Sequence, residues 1–586
     1  MVLRPVAASA AFALLLSVPS VLTTVSPASG ADVTQPNVLI VVTDDQALGM
    51  MGAMPRTRAW LGTGTNYTNA VASTPLCCPA RAQILSGRYV HNHDVRTLDD
   101  AYNLDFSKTL PTRLQRAGYT TAMSGKFLNS WQMKDAPPGF DRFAMLGGGY
   151  FGIALHTDAE TQASLGADAP VSRSERQITT IRDAALSWVD DFETTDEKPW
   201  MMYLAPTAPH MSYQDGYGDA PSLPLGAAMR ESDLSDKPPH VRDVTRGQHV
   251  DGPLGSSWEK AYRTLRPVDD MMSAVRDRLR STGELETTVV IFTSDNGYLF
   301  GQHGLQGKRE PYDESLRVPL MLSWPERVEA GTDARITGLV DIAPTVFAAA
   351  GITPGYTVDG QSLLAPTSRR RILIEHFGGG AYDHNVGTWA GWWSPDGMYR
   401  RSFYGARGSR GCFDNASATL CQRYSQAPGG EELYRDRARL RNVLQHGAVS
   451  GAHRGWTTAA SQCAGARCRQ LEARRPVVAA RPWLRVSYLG PVRFTVGAPR
   501  TVRVVIRNVS GRRVRNVRAR IEGNARWSAT LLNRRRVAVL RPGQRLSVRW
   551  RLRFKAEGEV SLSTTTWFRA AGERRSWDAA PVQVRR

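Results

Sequence analysis

Asn37-Val38-Leu39-Ile40-Val41-Val42 is an unbroken apolar run that passes through Thr43 into the paired carboxylates Asp44-Asp45. A run of that length without polar alternation predicts a strand buried on both faces, as in parallel sheets covered by helices. Two further runs have the same form: Trp200-Met201-Met202-Tyr203-Leu204, and Thr288-Val289-Val290-Ile291-Phe292, which leads to Asp295-Asn296-Gly297. Helix-length stretches separate them, so residues 37 to about 350 predict an α/β fold. Open sheets of this class hold ligands at the carboxyl ends of their strands, where these runs turn polar. Three carboxylates and the Asn296 amide oxygen make a hard, all-oxygen set, suited to Ca²⁺ or Mg²⁺ and poorly suited to zinc or copper. Taken singly, Asp-Asp and Asn-Gly are ordinary strand-end turns.

Cys77-Cys78-Pro79-Ala80-Arg81, followed by Gln83-Ile84-Leu85-Ser86-Gly87-Arg88, decides between those readings. The segment resembles the active-site tag of type I sulfatases. In that family a formylglycine-generating enzyme oxidises the first Cys to an aldehyde, formylglycine (3-oxoalanine), whose hydrate is the nucleophile. The resemblance places that role at Cys77 rather than Cys78. Other family segments follow in order. Gly125-Lys126-Phe127-Leu128-Asn129 resembles the Gly-Lys segment that supplies one sulfate-binding Lys, and Gly307-Lys308 the segment that supplies the second. Ala208-Pro209-His210 matches the Pro-His whose His faces the leaving oxygen.

By the same resemblance Arg81 holds the hydrate and helps bind metal or sulfate, and Asp44, Asp45, Cys77, Asp295 and Asn296 are the metal ligands. The family fold is an alkaline-phosphatase-like mixed sheet flanked by helices, with a smaller C-terminal subdomain. Many sulfatases carry a His two residues after the first Lys, where this chain has Leu128. Leu128-Asn129, Cys77-Cys78-Pro79 and His91-Asn92-His93 instead resemble N-acetylglucosamine-6-sulfatases. His303 and His93 are the candidates to take over from the missing His, with His303 read as a substrate-binding residue.

The residue types suit the chemistry. A sulfate ester is a tetrahedral anion that repels nucleophiles and has a poor alcohol leaving group. Two Lys, an Arg and a divalent cation neutralise its oxygens and orient the sulfur. An aldehyde hydrate offers two hydroxyls on one carbon, the first to attack sulfur and the second to expel sulfate. His210 with Lys308 assists the departing alcohol. The expected activity is hydrolysis of sulfuric esters, on sulfated carbohydrate or aryl sulfate. The alternatives are phosphodiester or phosphonate monoester hydrolysis, and a polyanion-binding surface protein without turnover.

At 586 residues the chain is too long for one ordinary domain. Residues 1–30 read as a signal peptide: Arg4 precedes an apolar run, and small residues close it around Ala28-Ser29-Gly30-Ala31. No Cys precedes Cys77, which excludes N-terminal lipid attachment, and no later stretch is apolar enough to span a bilayer. The expectation is a secreted or periplasmic protein without a transmembrane segment once the signal is cleaved. Beyond the tag, Cys412 with Cys421 and Cys463 with Cys468 form two short-range pairs, read as local disulfides rather than a zinc site.

Residues 36–355 read as the catalytic α/β domain and 356–475 as the smaller subdomain, which includes Arg371 to Glu375 and Glu432 to Asp436. Residues 476–586 read as an immunoglobulin-like sandwich, because Leu546, Val548, Trp550, Leu552 and Phe554 alternate with polar residues. This last segment holds 26 Lys and Arg against 5 Asp and Glu, so the formal +20 of the chain lies there. Arg503, Arg518, Arg520, Arg549, Arg551 and Arg553 occupy outward positions, suited to a polyanion. No recognition helix or aromatic-interleaved strand supports specific nucleic-acid binding.

Overall fold

The computed structural model describes residues 35–147, 154–165, 174–195, 197–210, 218–222, 254–325, 327–378, 386, 388–402, 431–434, 459–474, 484–489, 491, 493–509, 512–522, 527–533, 536–555, 558–569 and 573–585. The signal-like residues 1–30, Cys412, Cys421 and Asp436 lie outside them.

The large sheet contains β1 (Asn37–Thr43), β2 (Thr65–Val71), β3 (Thr120–Gly125), β4 (Arg142–Gly147), β5 (Ala154–Thr157), β6 (Trp200–Ala205) and β7 (Thr288–Ser294). A short hairpin, β8 (Leu299–Phe300) and β9 (Gln306–Gly307), precedes its last two strands, β10 (Leu320–Ser323) and β11 (Gly331–Gly338). The strand order is β11-β2-β10-β7-β1-β6-β3-β4-β5, with β7, β1, β6, β3 and β4 parallel and β10 and β5 antiparallel to their neighbours. The three runs picked out in the sequence are thus the adjacent strands β7, β1 and β6.

Both faces of β1 are buried, and its two-residue period sorts them. Val38, Ile40 and Val42 pack with Ala80, Ile84 and Leu85 of the helix Cys77–Ser86 and with Ile342 and Val346 of the helix Ile342–Ala349. Leu39 and Val41 pack with Ile181 and Trp188 of the helix Ser174–Thr195 and with Leu265 and Val268 of the helix Leu254–Thr282. Helices on both faces of a largely parallel centre are the expected α/β arrangement.

A second, antiparallel sheet runs β12 (Ile372–His376), β13 (Trp389–Ser394), β14 (Gly397–Ser402) and β15 (Glu431–Tyr434). Cys463 and Cys468 are bonded, with S–S 2.10 Å. The C-terminal region is all β. One sheet orders β16 (Leu484–Leu489), β18 (Arg500–Asn508), β22 (Arg545–Phe554) and β20 (Trp527–Leu531) as β16-β18-β22-β20. The other orders β17 (Arg493–Thr495), β24 (Glu573–Arg585), β23 (Gly558–Arg569), β19 (Val514–Glu522) and β21 (Arg536–Leu540) as β17-β24-β23-β19-β21. Val504, Val548, Trp550 and Phe554 from the first meet Val517, Ala519 and Phe568 from the second in one core. The six Arg singled out in the sequence are all exposed, but they divide between the sheets: Arg503, Arg549, Arg551 and Arg553 on the first, Arg518 and Arg520 on the second. Among the described residues no helix is long and apolar enough to cross a membrane.

Candidate active site

The site gathers where β1, β7, β6 and β3 end. Hydrogen bonds tie these ends together. Asp295 N–H donates to Thr43 O at 3.1 Å, and Asp44 N–H donates to Ala208 O at 3.1 Å. The Ser294 hydroxyl accepts from Gln46 N–H at 2.9 Å and lies 2.9 Å from Asn296 O. Ser294 was not legible as a site-builder, since a Ser at a strand end carries no distinguishing signal. Asp45 takes φ 67°, a left-handed conformation that Asp and Asn tolerate better than most side chains. Gly125, at φ 103°, lets Lys126 turn into the site: a Cβ there would lie 2.2 Å from Ala205 O.

The helix Cys77–Ser86 enters with its N-terminus first. Its opening N–H groups lack carbonyl partners in the helix and favour negative charge nearby. Pro79 is harmless in that first turn. Cys77 and Arg81 are one turn apart and share a face. The Cys77 thiol lies 3.3 Å from Asp44 Oδ1 and 3.8 Å from Asp45 Oδ1, and accepts from Lys308 Nζ at 2.7 Å. Arg81 Nε donates to Asp295 Oδ2 at 2.8 Å, and its Nη1 donates to the Lys126 carbonyl at 2.9 Å. Lys126 Nζ pairs with Asp44 Oδ2 at 2.7 Å, Lys308 Nζ pairs with Asp45, and His210 Nε2 stands 3.6 Å from Asp45 Oδ2. The residues expected from the sequence therefore meet across more than 260 positions of chain. Cys78 turns away, its thiol 3.7 Å from Asn129 O.

The charges are mutually supporting. Burial pushes the Asp44 carboxyl up, but Lys126, His210, Arg81 and Lys308 together hold it well below the carboxylate range. Burial pushes the Cys77 thiol well above its ordinary value, and Asp295 and Asp44 add to that. Burial, against the pull of Asp45, lowers His210 to about 4.

One ligand atom each from Asp44, Asp45, Cys77 and Asp295 lies within 4.8 Å of the others. Asp45 Oδ2 and Asn296 Oδ1 are buried and accept no hydrogen bond. Buried oxygens without donors are costly, so their lone pairs fit a cation. The acidic cluster can hold a divalent metal on oxygen ligands.

The two histidines suggested for the absent family His are packed into the protein. His303 is fully buried, its ring stacked on Tyr312 at 4.2 Å and its Nε2 3.5 Å from Glu314. His93 is buried and accepts from Val95 N–H at 3.1 Å, and burial lowers it to about 3.

The sulfatase family model matches residues 36–352 of this chain. The chain is a member of the sulfatase family. A putative extracellular sulfatase Sulf-1 homolog of Caenorhabditis elegans is 30% identical over 371 residues, covering 58% of this chain and 50% of the relative. The N-acetylglucosamine-6-sulfatase of Homo sapiens is 29% identical over 385 residues, covering 60% of this chain and 69% of the relative. The sulfatase match to the worm protein thus spans half of that protein's length.

Among solved structures, a complex with its substrate D-glucosamine-2-N,6-O-disulfate aligns at TM-score 0.51 and 21% identity, covering 70% of this chain and 93% of that one. The phosphonate monoester hydrolase of Agrobacterium radiobacter aligns at TM-score 0.54 and 19% identity, covering 75% and 95%. At these identities the structural likenesses establish the sulfatase fold and no more.

Proposed function

We propose that the protein is an exported sulfuric ester hydrolase that acts on sulfate esters of sugars, with residue 77 as nucleophile. The observation that carries the reading is the Cys77 thiol at a helix N-terminus, 3.3 Å from Asp44 and 2.7 Å from the Lys308 ammonium. The protein's catalytic domain ends near residue 355 and its smaller subdomain near 475, after a cleaved leader of about 30 residues.

Asp44, Asp45, Asp295 and Asn296 would hold Ca²⁺ or Mg²⁺, which supplies positive charge against the sulfate oxygens. Converted to formylglycine by its generating enzyme, residue 77 supplies a hydrated aldehyde with one hydroxyl for attack on sulfur and another for release of sulfate. The remaining work falls to the protein's side chains. Lys126 and Lys308 present ammonium groups to two sides of the bound anion, and Asp44 and Asp45 fix where those groups stand. Arg81, locked between Asp295 and the Lys126 carbonyl, holds the helix N-terminus against the loop that carries Lys126. His210, partly exposed beside Asp45, faces the leaving oxygen and shares its protonation with Lys308. His303 is assigned to packing the hairpin that precedes Lys308.

The relatives' names direct the first substrate choice to 6-O-sulfated N-acetylglucosamine. Mass spectrometry of the peptide that carries Cys77 should show the mass loss of thiol-to-aldehyde conversion. Turnover of an aryl sulfate should exceed that of the matching aryl phosphate. An unmodified Cys77 in protein that turns over sulfate would reject the nucleophile assignment, and faster phosphate turnover would favour phosphoryl transfer.

A further inference from the structure

The two sheets of the C-terminal sandwich differ in what accompanies their arginines. The five-stranded sheet includes Glu522, Glu559, Glu573 and Asp578, and Arg518 stacks on Trp567 at 5.0 Å. The four-stranded sheet has no Asp or Glu in any of its strands. Arg503, Arg507, Arg545, Arg549, Arg551 and Arg553 are all exposed there. In register, Arg503 stands directly opposite Arg549 and Arg507 opposite Arg545. Directly opposed like charges weaken a sheet, so folding gains nothing from them. The five-stranded sheet also opposes Arg518 with Arg536, but with acids interspersed.

The lattice is regular. Alternate residues on one strand stand about 7 Å apart, and neighbouring strands about 4.8 Å. Arg549, Arg551 and Arg553 therefore form a column on β22, with Arg503 one strand over. Thr501 and Thr530 flank Arg551 in its row, and Ser528 lies beside Arg553. Each guanidinium offers a planar fork that fits two oxygens of a tetrahedral anion, and each hydroxyl offers one more donor. The outward positions hold no aromatic among the described residues, so there is no platform on which bases could stack. A field of guanidinium and hydroxyl groups, interrupted by the exposed Leu489 opposite Arg503 and by Val505 opposite Ser547, suits an extended polymer with anionic substituents along its length.

We propose that the four-stranded sheet is a second, non-catalytic binding face that takes an extended sulfated polysaccharide and keeps the enzyme on it. The choice of sulfate over phosphate rests on the sulfatase reading of the catalytic site.

The test uses the full chain, with heparin fragments as the probe and duplex and single-stranded DNA as comparisons, titrated across salt. A triple variant, Arg503→Gln, Arg549→Gln and Arg551→Gln, should weaken heparin binding about tenfold or more and lower the salt slope by two to three, roughly one unit per lost contact. Arg515→Gln, Arg520→Gln and Arg536→Gln on the other sheet should change binding less than about twofold, as expected of groups outside the contact. Equal losses in the two triples, or DNA bound as tightly as heparin at equal salt, would overturn the proposal. Aryl sulfate turnover reads the catalytic site separately. Lost binding with intact turnover bears on the sheet alone, and lost turnover with intact binding on the pocket alone.

Discussion

Arg81 and Arg549 carry the same charge into opposite settings. Arg81 is fully buried, and its Nε and Nη1 are met by a carboxylate and a carbonyl. Arg549 is exposed on a strand and faces another Arg across the sheet. A buried charge keeps its place only with partners in good geometry, so the catalytic region is a closed, balanced set. An exposed charge is cheaply solvated, so the sandwich can accumulate cations without balancing them. Removing one charged partner should therefore cost the first region heavily and barely disturb the second.

The sharpest break comes at the centre of the balanced set. Cys77→Ala should lower aryl sulfate turnover on the order of 10⁴-fold while circular dichroism stays native, as when a nucleophile is removed. Cys78→Ala should stay within about a few-fold, because its thiol is packed in the core beside the Asn129 carbonyl and away from the carboxylates. Next is Arg81→Ala, which leaves Asp295 buried without its cation. In chelator-treated protein this should cost about 3–5 kcal/mol by urea denaturation, and restored divalent metal should recover part of it. An unchanged midpoint would show that the buried Asp295 charge does not depend on Arg81.

A smaller effect should come from His91, whose Nδ1 is 2.8 Å from Glu375 Oε2. Burial opposes its protonation, but Glu375 and the Cys463 carbonyl raise it from 6.5 to about 9. A raised folded-state value means that this stability is fully present below about pH 6.5 and is lost as pH rises through about 9. Glu375→Gln should remove on the order of 2 kcal/mol at pH 6 and far less at pH 10, measured by urea midpoints. The least effect is expected at the sandwich. Arg549→Gln should alter stability by under about 0.5 kcal/mol, with any change favourable because an opposed pair is relieved.

Those contrasts follow what the sequence could and could not disclose. Buried parallel strands announce themselves as unbroken apolar runs, which is why β1, β6 and β7 were legible together with the carboxylates at their ends. Cys77 and Arg81 were legible through the resemblance of their segment to the sulfatase tag, and β22 through its strict alternation. Three things were not. Ser294 binds two strand ends through one hydroxyl, a role set by register alone. His303 is, in the sequence, a candidate for the place of the missing family His, and the structure stacks it on Tyr312, fully buried. The arginines of the sandwich read as one outward population, whereas strand order sends them to two sheets. Each depends on which distant segments become neighbours, and local pattern does not encode that.

Asp45 turns through the left-handed region at φ 67° while its carboxylate faces Cys77, Lys308 and Asn296. Side-chain chemistry and chain direction are thus vested in a single position. In a library of all substitutions at 45, branched aliphatics should drop out for the backbone's sake and glycine for want of a carboxylate. Asparagine would keep both the bend and the shape of the side chain while surrendering the charge, and so would let the two demands be weighed apart.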